Sequence, residues 1–324
     1  MRFSLVILLA AWASGCGAPR PSVSPPAPAP ACAAFTVANG SNTLARVVAL
    51  ADLGPRNAGT AGGERAAQWI AGQLRGEGLA ARLDTFTNDT PSGPLTCHNV
   101  IAELPLFQKC ESGRQASAAA PPPSDWIVLL SHFDTKSDIS TNFIGANDGG
   151  SSTGLLLELA QILNAAPPQH GGVLFGFVDG EECRVSFGPH DGLHGSRRLA
   201  GQLAAAHRHV RAVILLDMIG DRDLTVTLPA NGSQSLTLLA LEAARTVGAR
   251  EKFRLFDGGI LDDHQPFLDA GFPAVDLIDF VYGSAPGLND YWHTPQDTVD
   301  KLSDASLTAV GRVVLEMVRR LDAP

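Results

Sequence analysis

The chain has 324 residues, 45% of them hydrophobic and 18% charged, the balance of a folded protein and not of a disordered one. Its 24 Lys and Arg against 33 Asp and Glu leave a net charge of −9, which excludes nucleic acid as the main partner, because phosphate binding needs clustered cations. Beyond the N-terminus no apolar stretch reaches the ~18 residues of a membrane span, and there is neither a Gly-X-Y period nor a long heptad run.

Residues 1–16 (MRFSLVILLAAWASGC) read as an export signal. Arg2 gives the positive start, Leu5 to Ala13 the apolar run, and Ala13, Ser14 and Gly15 the small residues before Cys16. Small residues directly before a cysteine resemble a bacterial lipoprotein cleavage site, which would leave Cys16 lipidated; ordinary secretion with Cys16 discarded is the alternative. Residues 17–32 are Pro-rich and read as an extended tether, so the membrane is touched only through the lipid, in the periplasm or at the cell envelope. Cys32, Cys97, Cys110 and Cys183 remain. Export permits disulfides, Cys97 with Cys110 is the favoured pair, and Cys183 reads as a buried free thiol.

Residues 33–324 read as one domain. A Ser/Asn cap opens a helix over 41–52, and helical spacing continues from Arg65 to Gly78. LAARLDTFT and LTCHNVIAEL form a strand pair around the turn TPSGP. The Ala/Pro-rich stretch 108–124 reads as an inserted loop. The period then changes. The apolar runs DWIVLLSHF, GGVLFGFV, VRAVILLDMIG and PAVDLIDF alternate with helices at GLLLELAQILNAA, HGSRRLAGQLAAAHR, 233–247 and 303–321. Short buried strands alternating with helices predict an α/β fold of three layers, α/β/α, around a central, mostly parallel mixed sheet.

Ligands of open α/β sheets bind beyond the carboxyl ends of the strands. Here each apolar run ends in metal-type or acid–base residues. IVLLSHFD ends in His132 and Asp134, the loop FIGANDGGSSTG holds Asp148, and VLFGFVDGEE ends in Asp179, Glu181 and Glu182. VILLDMIGD carries Asp217 and Asp221; Asp262, Asp263 and His264 precede PAVDLI; Trp292 and His293 follow it. Five successive units delivering such groups to one rim point to a site rather than to solvated loop ends. Imidazoles and carboxylates from separate loops suit a catalytic divalent cation, zinc above all. HExxH and a thiolate zinc spacing are missing. Glu181 and Glu182 would repel each other at one site unless one held a metal and the other a proton.

The ordered set SHFD, GANDGG, DGEE, LLDMIGD, DDHQPFL and YWHT resembles the M28 family of zinc aminopeptidases and glutaminyl cyclases over nearly all of 41–321. The resemblance implies that Asp148, Glu182 and His293 hold one zinc. It implies that His132 and Asp217 match the positions of a second metal in two-zinc aminopeptidases, and that Glu181 is the general acid/base. DTFTNDTPSGPLTCHNVIAEL, HFDTK, DGEECRVSFGPHDGLHGSRRLA and DDHQPFLDAGFPAV are similar to the glutaminyl cyclase branch. That branch implies an acid network of Glu181, Asp217 and Asp262, with Trp292 packing on the substrate side chain and Phe187 as a further pocket wall. GANDGGSSTG and HTPQDTVDKL look more like the aminopeptidases; Phe187 stands where animal cyclases carry an indole, Asp276 where they carry a His, and FVYGSAPGLNDYW is longer than theirs.

The cyclase reading implies zinc-dependent conversion of a peptide's N-terminal Gln to pyroglutamate with release of ammonia, with one zinc. The aminopeptidase reading implies hydrolysis of the first peptide bond with two. Peptide or protein N-termini are the substrate in both. A tethered binding domain without turnover is the non-enzymatic alternative, and intact Glu181 argues against it. The oligomeric state is not legible.

Overall fold

Asn39 and Thr60 open the first two helices, α1 (Gly40–Ala51) and α2 (Ala61–Gly76), by accepting the N–H groups of Ser41 at 3.1 Å and Gly63 at 3.3 Å. The chain is described over residues 38–105 and 125–323 of a computed structural model. The export signal with Cys16, the Pro-rich stretch 17–32, the insertion 108–124, Cys32 and Cys110 therefore lie outside the described residues. The described residues belong to the compact unit Phe35–Pro324.

β1 (Ala81–Thr90) and β2 (Gly93–Leu104) form an antiparallel hairpin that runs further into TPSGP than the composition suggests. Then β3 (Trp126–His132), α3 (Gly150–Ala165), β4 (Gly172–Val178), α4 (His194–Ala205) and β5 (Val210–Asp217) alternate as predicted. Two short strands that the pattern does not announce follow, β6 (Val226–Pro229) and β7 (Phe253–Phe256), with α5 (Gln234–Thr246) between them. The one-turn α6 (Gln265–Asp269), β8 (Ala274–Ile278) and the long α7 (Asp304–Leu321) complete the chain.

The strands make one eight-stranded mixed sheet in the order β1-β2-β4-β3-β5-β8-β6-β7. Its centre, β4-β3-β5-β8, is parallel, while β2 joins β4 and β6 joins β8 antiparallel. Successive side chains of β3 point to opposite faces. Ile127 and Leu129 enter a core shared with α1, α2, α3, α5 and α7, while Trp126, Val128 and Leu130 enter a second core with Leu199 and Leu203 of α4 and Phe267 of α6. Helices on both faces give the three expected layers, and β3 and β4 are buried along their whole length.

The chain order positions the site. From β3 it crosses to β4 on one side, then returns past β3 to β5 on the other. The direction of winding reverses at β3, so a crevice opens beyond the carboxyl ends of β3 and β5. His132 and Asp217 are the last residues of those two strands.

Cys183 is a buried free cysteine, as expected. Cys97, the favoured disulfide partner of Cys110, is also free and buried, packed with Ala58, Phe86 and Leu95. Its thiol points inward beneath Gly180, and burial pushes it well above the usual thiol range.

Candidate metal centre

Five of the residues singled out in the sequence converge in the crevice. His132 Nε2 lies 3.3 Å from Asp148 Oδ1 and 3.1 Å from Asp217 Oδ1. His293 Nε2 lies 3.3 Å from Asp148 Oδ2 and 3.1 Å from Glu182 Oε1. Asp148 therefore offers one oxygen to each imidazole. Two groups of three donors result, His132/Asp148/Asp217 and Asp148/Glu182/His293, and within each the donor atoms lie within 4.8 Å of one another.

The local backbone explains this convergence. Asp148 precedes Gly149, which caps α3 with a left-handed φ of 71°. A Cβ on Gly149 would stand 2.8 Å from His132 Cε1, so only glycine lets the loop lie against that imidazole. Asp134 accepts the N–H groups of Glu181 at 3.1 Å and Glu182 at 3.2 Å, one on each carboxylate oxygen, and so orders the turn after β4. Two non-glycine residues beside the donors have left-handed backbones, Met218 (φ 47°) after Asp217 and His293 itself (φ 52°). Such conformations persist where the surroundings over-determine them, and they cluster at functional sites.

The electrostatics suit a cation. Burial pushes Glu182 up to about 7, with Asp148 adding to it, and raises Asp217 as well. Burial alone would lower His132 and His293, but their carboxylate partners prevail: His132 stands well above its ordinary value and His293 is pushed up to about 10. Asp148 Oδ2, Glu182 Oε2 and His132 Nδ1 are buried without a hydrogen-bond partner. Besides the two imidazoles, the three buried carboxylates have near them Lys136 (Nζ 3.4 Å from Glu182 Oε2) and the charge of Arg56. Buried charge of this kind is costly unless paired or coordinated, and a divalent cation reverses the balance. Imidazole and carboxylate donors at these separations fit zinc.

Glu181 stands beside this centre, 8% exposed, in a second set of acids. Burial, then Glu182 and the Asp262 and Asp263 carboxylates, pushes it well above the usual carboxylate range. Burial, then Asp217, does the same to Asp262, and burial with Asp262 to Asp276 on β8. Glu181, Glu182, Asp148, Asp217 and Asp262 line one cavity of about 280 Å³. Its other walls are apolar, with Trp292, Phe280, Ile260 and Ile278 inside and Phe187 and Phe256 at the mouth. Trp292 stacks on the His293 ring at 4.1 Å between centroids.

Six acids and imidazoles read as rim residues do not line the cavity: His132 and Asp134, which lie behind it as a donor and as the acceptor that orders the turn, and four that turn elsewhere. Asp179 turns to the hairpin and accepts the His98 N–H at 2.7 Å. Asp221 accepts the Asp223 N–H, Asp263 is buried away from the cavity, and His264 accepts from Asn231 at 2.9 Å. A strand end exposes about every second side chain to the crevice, so adjacent acids in one loop diverge. Conversely, Arg56, Tyr282 and Asp297 hold the Asp148 loop, and Phe256, Ile260 and Leu261 build the pocket, yet none stood out in the sequence. Asp297 lay within HTPQDT, the only signal that could have found it.

The sequence profile of peptidase family M28 matches residues 114–318. A glutaminyl-peptide cyclotransferase-like protein of Bos taurus is 29% identical over an alignment 299 positions long that covers 80% of this chain and 70% of that protein. The crystal structure of a glutaminyl cyclase from an Acidobacteriales bacterium is similar with a TM-score of 0.80 at 33% identity, over 91% of this chain and 99% of that one. A Zn-dependent exopeptidase from Parabacteroides distasonis is similar with a TM-score of 0.75 at 25% identity, over 88% of this chain and 99% of that one. Among the described residues no helix is long and apolar enough to cross a membrane. The matched profile takes in β3 and every donor of both groups, and the chain belongs to peptidase family M28.

Proposed function

We propose that the protein is a zinc-dependent glutaminyl-peptide cyclotransferase, which closes an N-terminal Gln to pyroglutamate and releases ammonia. The observation that carries this reading is that Glu181 and Asp262, whose charge opposes ionisation of Glu181, line one cavity of about 280 Å³ together with the apolar walls of Trp292, Phe280 and Ile260. A cavity this small suits one folded side chain rather than a run of residues.

Asp148, Glu182 and His293 would hold the zinc, which supplies a Lewis acid for the side-chain carbonyl of the substrate. The remaining work falls to the chain's own groups. Trp292, Phe280 and Ile260 hold the Gln side chain folded back toward its own α-amine, a near-attack shape that makes the reaction intramolecular. The same walls exclude water, which would otherwise compete for the carbonyl. Glu181 takes a proton from the attacking amine and returns it to the departing nitrogen, so that the new C–N bond forms as the old one breaks and ammonia leaves. Burial, Glu182 and Asp262 oppose ionisation of the Glu181 carboxyl and hold it well above the usual carboxylate range, so that it can carry a proton, and Asp217 does the same to Asp262.

A second reading, metallo-aminopeptidase, is favoured by one specific observation: the His132/Asp148/Asp217 group is complete and shares Asp148 with the first. In that reading the two groups would hold two zincs, which would supply Lewis acidity, and Glu181 would take a proton from the attacking water. Incubating the pure, zinc-loaded protein with Gln-peptides and with Leu- and Ala-amides separates the two. Ammonia and a pyroglutamyl peptide without free amino acid support the cyclase; free amino acid from either substrate class supports the peptidase and overturns the cyclase.

A further inference from the structure

The loop that presents Asp148 is gripped from two sides by groups that are not donors. On its carbonyl side lies Arg56, fully buried. The guanidinium donates to Ile144 O at 2.6 Å, Gly145 O at 3.1 Å and Phe133 O at 2.8 Å, tying the loop to the end of β3. On its amide side lies Asp297, 1% exposed. Its Oδ1 accepts the Asn147 N–H at 2.7 Å and its Oδ2 the Asp148 N–H at 3.1 Å. The Asp297 carbonyl also accepts the Ala146 N–H at 3.4 Å. Tyr282, whose ring is fully buried, donates its hydroxyl to Asp297 Oδ1 at 2.9 Å. Asp297 follows His293 by four residues, so one short segment both supplies an imidazole and clamps the loop that carries the shared carboxylate.

We propose that Asp297 is a positioning residue for the metal centre. Its carboxylate fixes the Asn147–Asp148 backbone so that Asp148 presents one oxygen to each imidazole, and Tyr282 fixes that carboxylate in turn. The proposal rests on the metal-binding reading above. Asp148 is joined to its backbone by only two side-chain torsions, so a shift of its amide passes directly to both oxygens. The clamp needs two acceptors, one for each amide. Asparagine at 297 has a single oxygen and sets an NH₂ group against the second N–H, which frees one end of the clamp. Groups that orient metal ligands from outside typically change metal affinity 10–100-fold when removed.

A residue that merely stabilised the fold would lower the melting temperature but leave the zinc affinity of the folded protein unchanged. The test is zinc affinity by competition with a chromogenic chelator for the parent, Asp297→Asn and Tyr282→Phe, with the melting temperature of each metal-free protein measured alongside. The expected result is a loss of about 10–100-fold for Asp297→Asn. Tyr282→Phe, which removes a single hydrogen bond to the carboxylate, is expected to lose roughly three- to tenfold. Zinc affinities within about twofold of the parent in both variants overturn the proposal and leave the metal reading standing. A parent protein that takes up no zinc overturns the metal reading and this assignment with it. If Asp297→Asn does not fold, Tyr282→Phe decides alone: a weakened affinity at an unchanged melting temperature supports the proposal, and a lowered melting temperature at an unchanged affinity overturns it.

Discussion

The Trp292 indole lies over the His293 imidazole, 4.1 Å between ring centroids and 26° from parallel. One pair of neighbours thus makes both an apolar wall of the cavity and a proposed donor to a cation. The other edge of the indole packs on Phe280 at 5.2 Å, which holds the wall upright. Replacing Trp292 with Leu is expected to lower kcat/KM on a Gln-peptide by about tenfold or more, through lost contact area with the substrate. Steady-state kinetics with zinc content measured in parallel checks this. Unchanged kinetics would remove Trp292 from the pocket.

Glu181 is the proposed proton carrier, and Glu182, next to it, the proposed ligand. Glu181→Gln is expected to lower kcat by roughly 10²–10⁴ while zinc content stays at the parent level. Glu182→Gln is expected to lose zinc and activity together. Turnover assays with metal analysis on both variants separate the roles, and a Glu181→Gln protein of parental activity contradicts the acid–base assignment.

Gly149 is a steric test of how the Asp148 loop meets β3. At its φ of 71° any other residue is strained by about 1–2 kcal/mol, and a Cβ there stands 3.0 Å from both His132 Nδ1 and the Asp134 carbonyl. Gly149→Ala is expected to lower stability by at least that strain and to weaken zinc binding by displacing His132. Chemical denaturation and zinc titration of the variant measure the two effects.

His264 provides a pH dependence away from the centre. Burial pulls its imidazole down to about 4, below its ordinary value of 6.5. Unfolded chains therefore take up the proton first as the pH falls. The stability that a neutral His264 lends is fully present above pH 6.5 and is lost between there and about 4, a loss of roughly 3 kcal/mol. Gln can still accept the Asn231 bond, so His264→Gln is expected to flatten that part of the curve. Denaturation of metal-free parent and variant from pH 7 to 4 reads the difference; parallel curves would contradict it.

The framework was legible because its signals are local. Runs such as VLFGFV and VILLD are short, continuous and apolar, and each leads into donors that the strand's own direction carries to the rim. β6 and β7 were not legible. Each has four residues, β6 contains Pro229, and Thr227↔Ile278 is the only pairing that joins β6 to the centre of the sheet. The start of α2 was read late because Gly62 and Gly63 are poor helix formers, and the side chain of Thr60 overrides them. At the site, residue type announced His132, Asp148, Glu182, Asp217 and His293, but the grip on the Asp148 loop comes from positions 56, 282 and 297, far apart in sequence and marked by no period. The same lack of local signal let Asp179 and His264 pass for rim residues, since which way a loop carboxylate or imidazole turns is decided by tertiary partners such as the His98 amide and Asn231.

The central claim is a cation held jointly by Asp148, Glu182 and His293. The most direct measurement is anomalous X-ray scattering at the zinc edge from crystals of the zinc-loaded protein. The account predicts a strong peak bonded to one oxygen of Asp148, one of Glu182 and Nε2 of His293. A peak bound by other residues, or no peak in a protein that still turns over Gln-peptides, would contradict it.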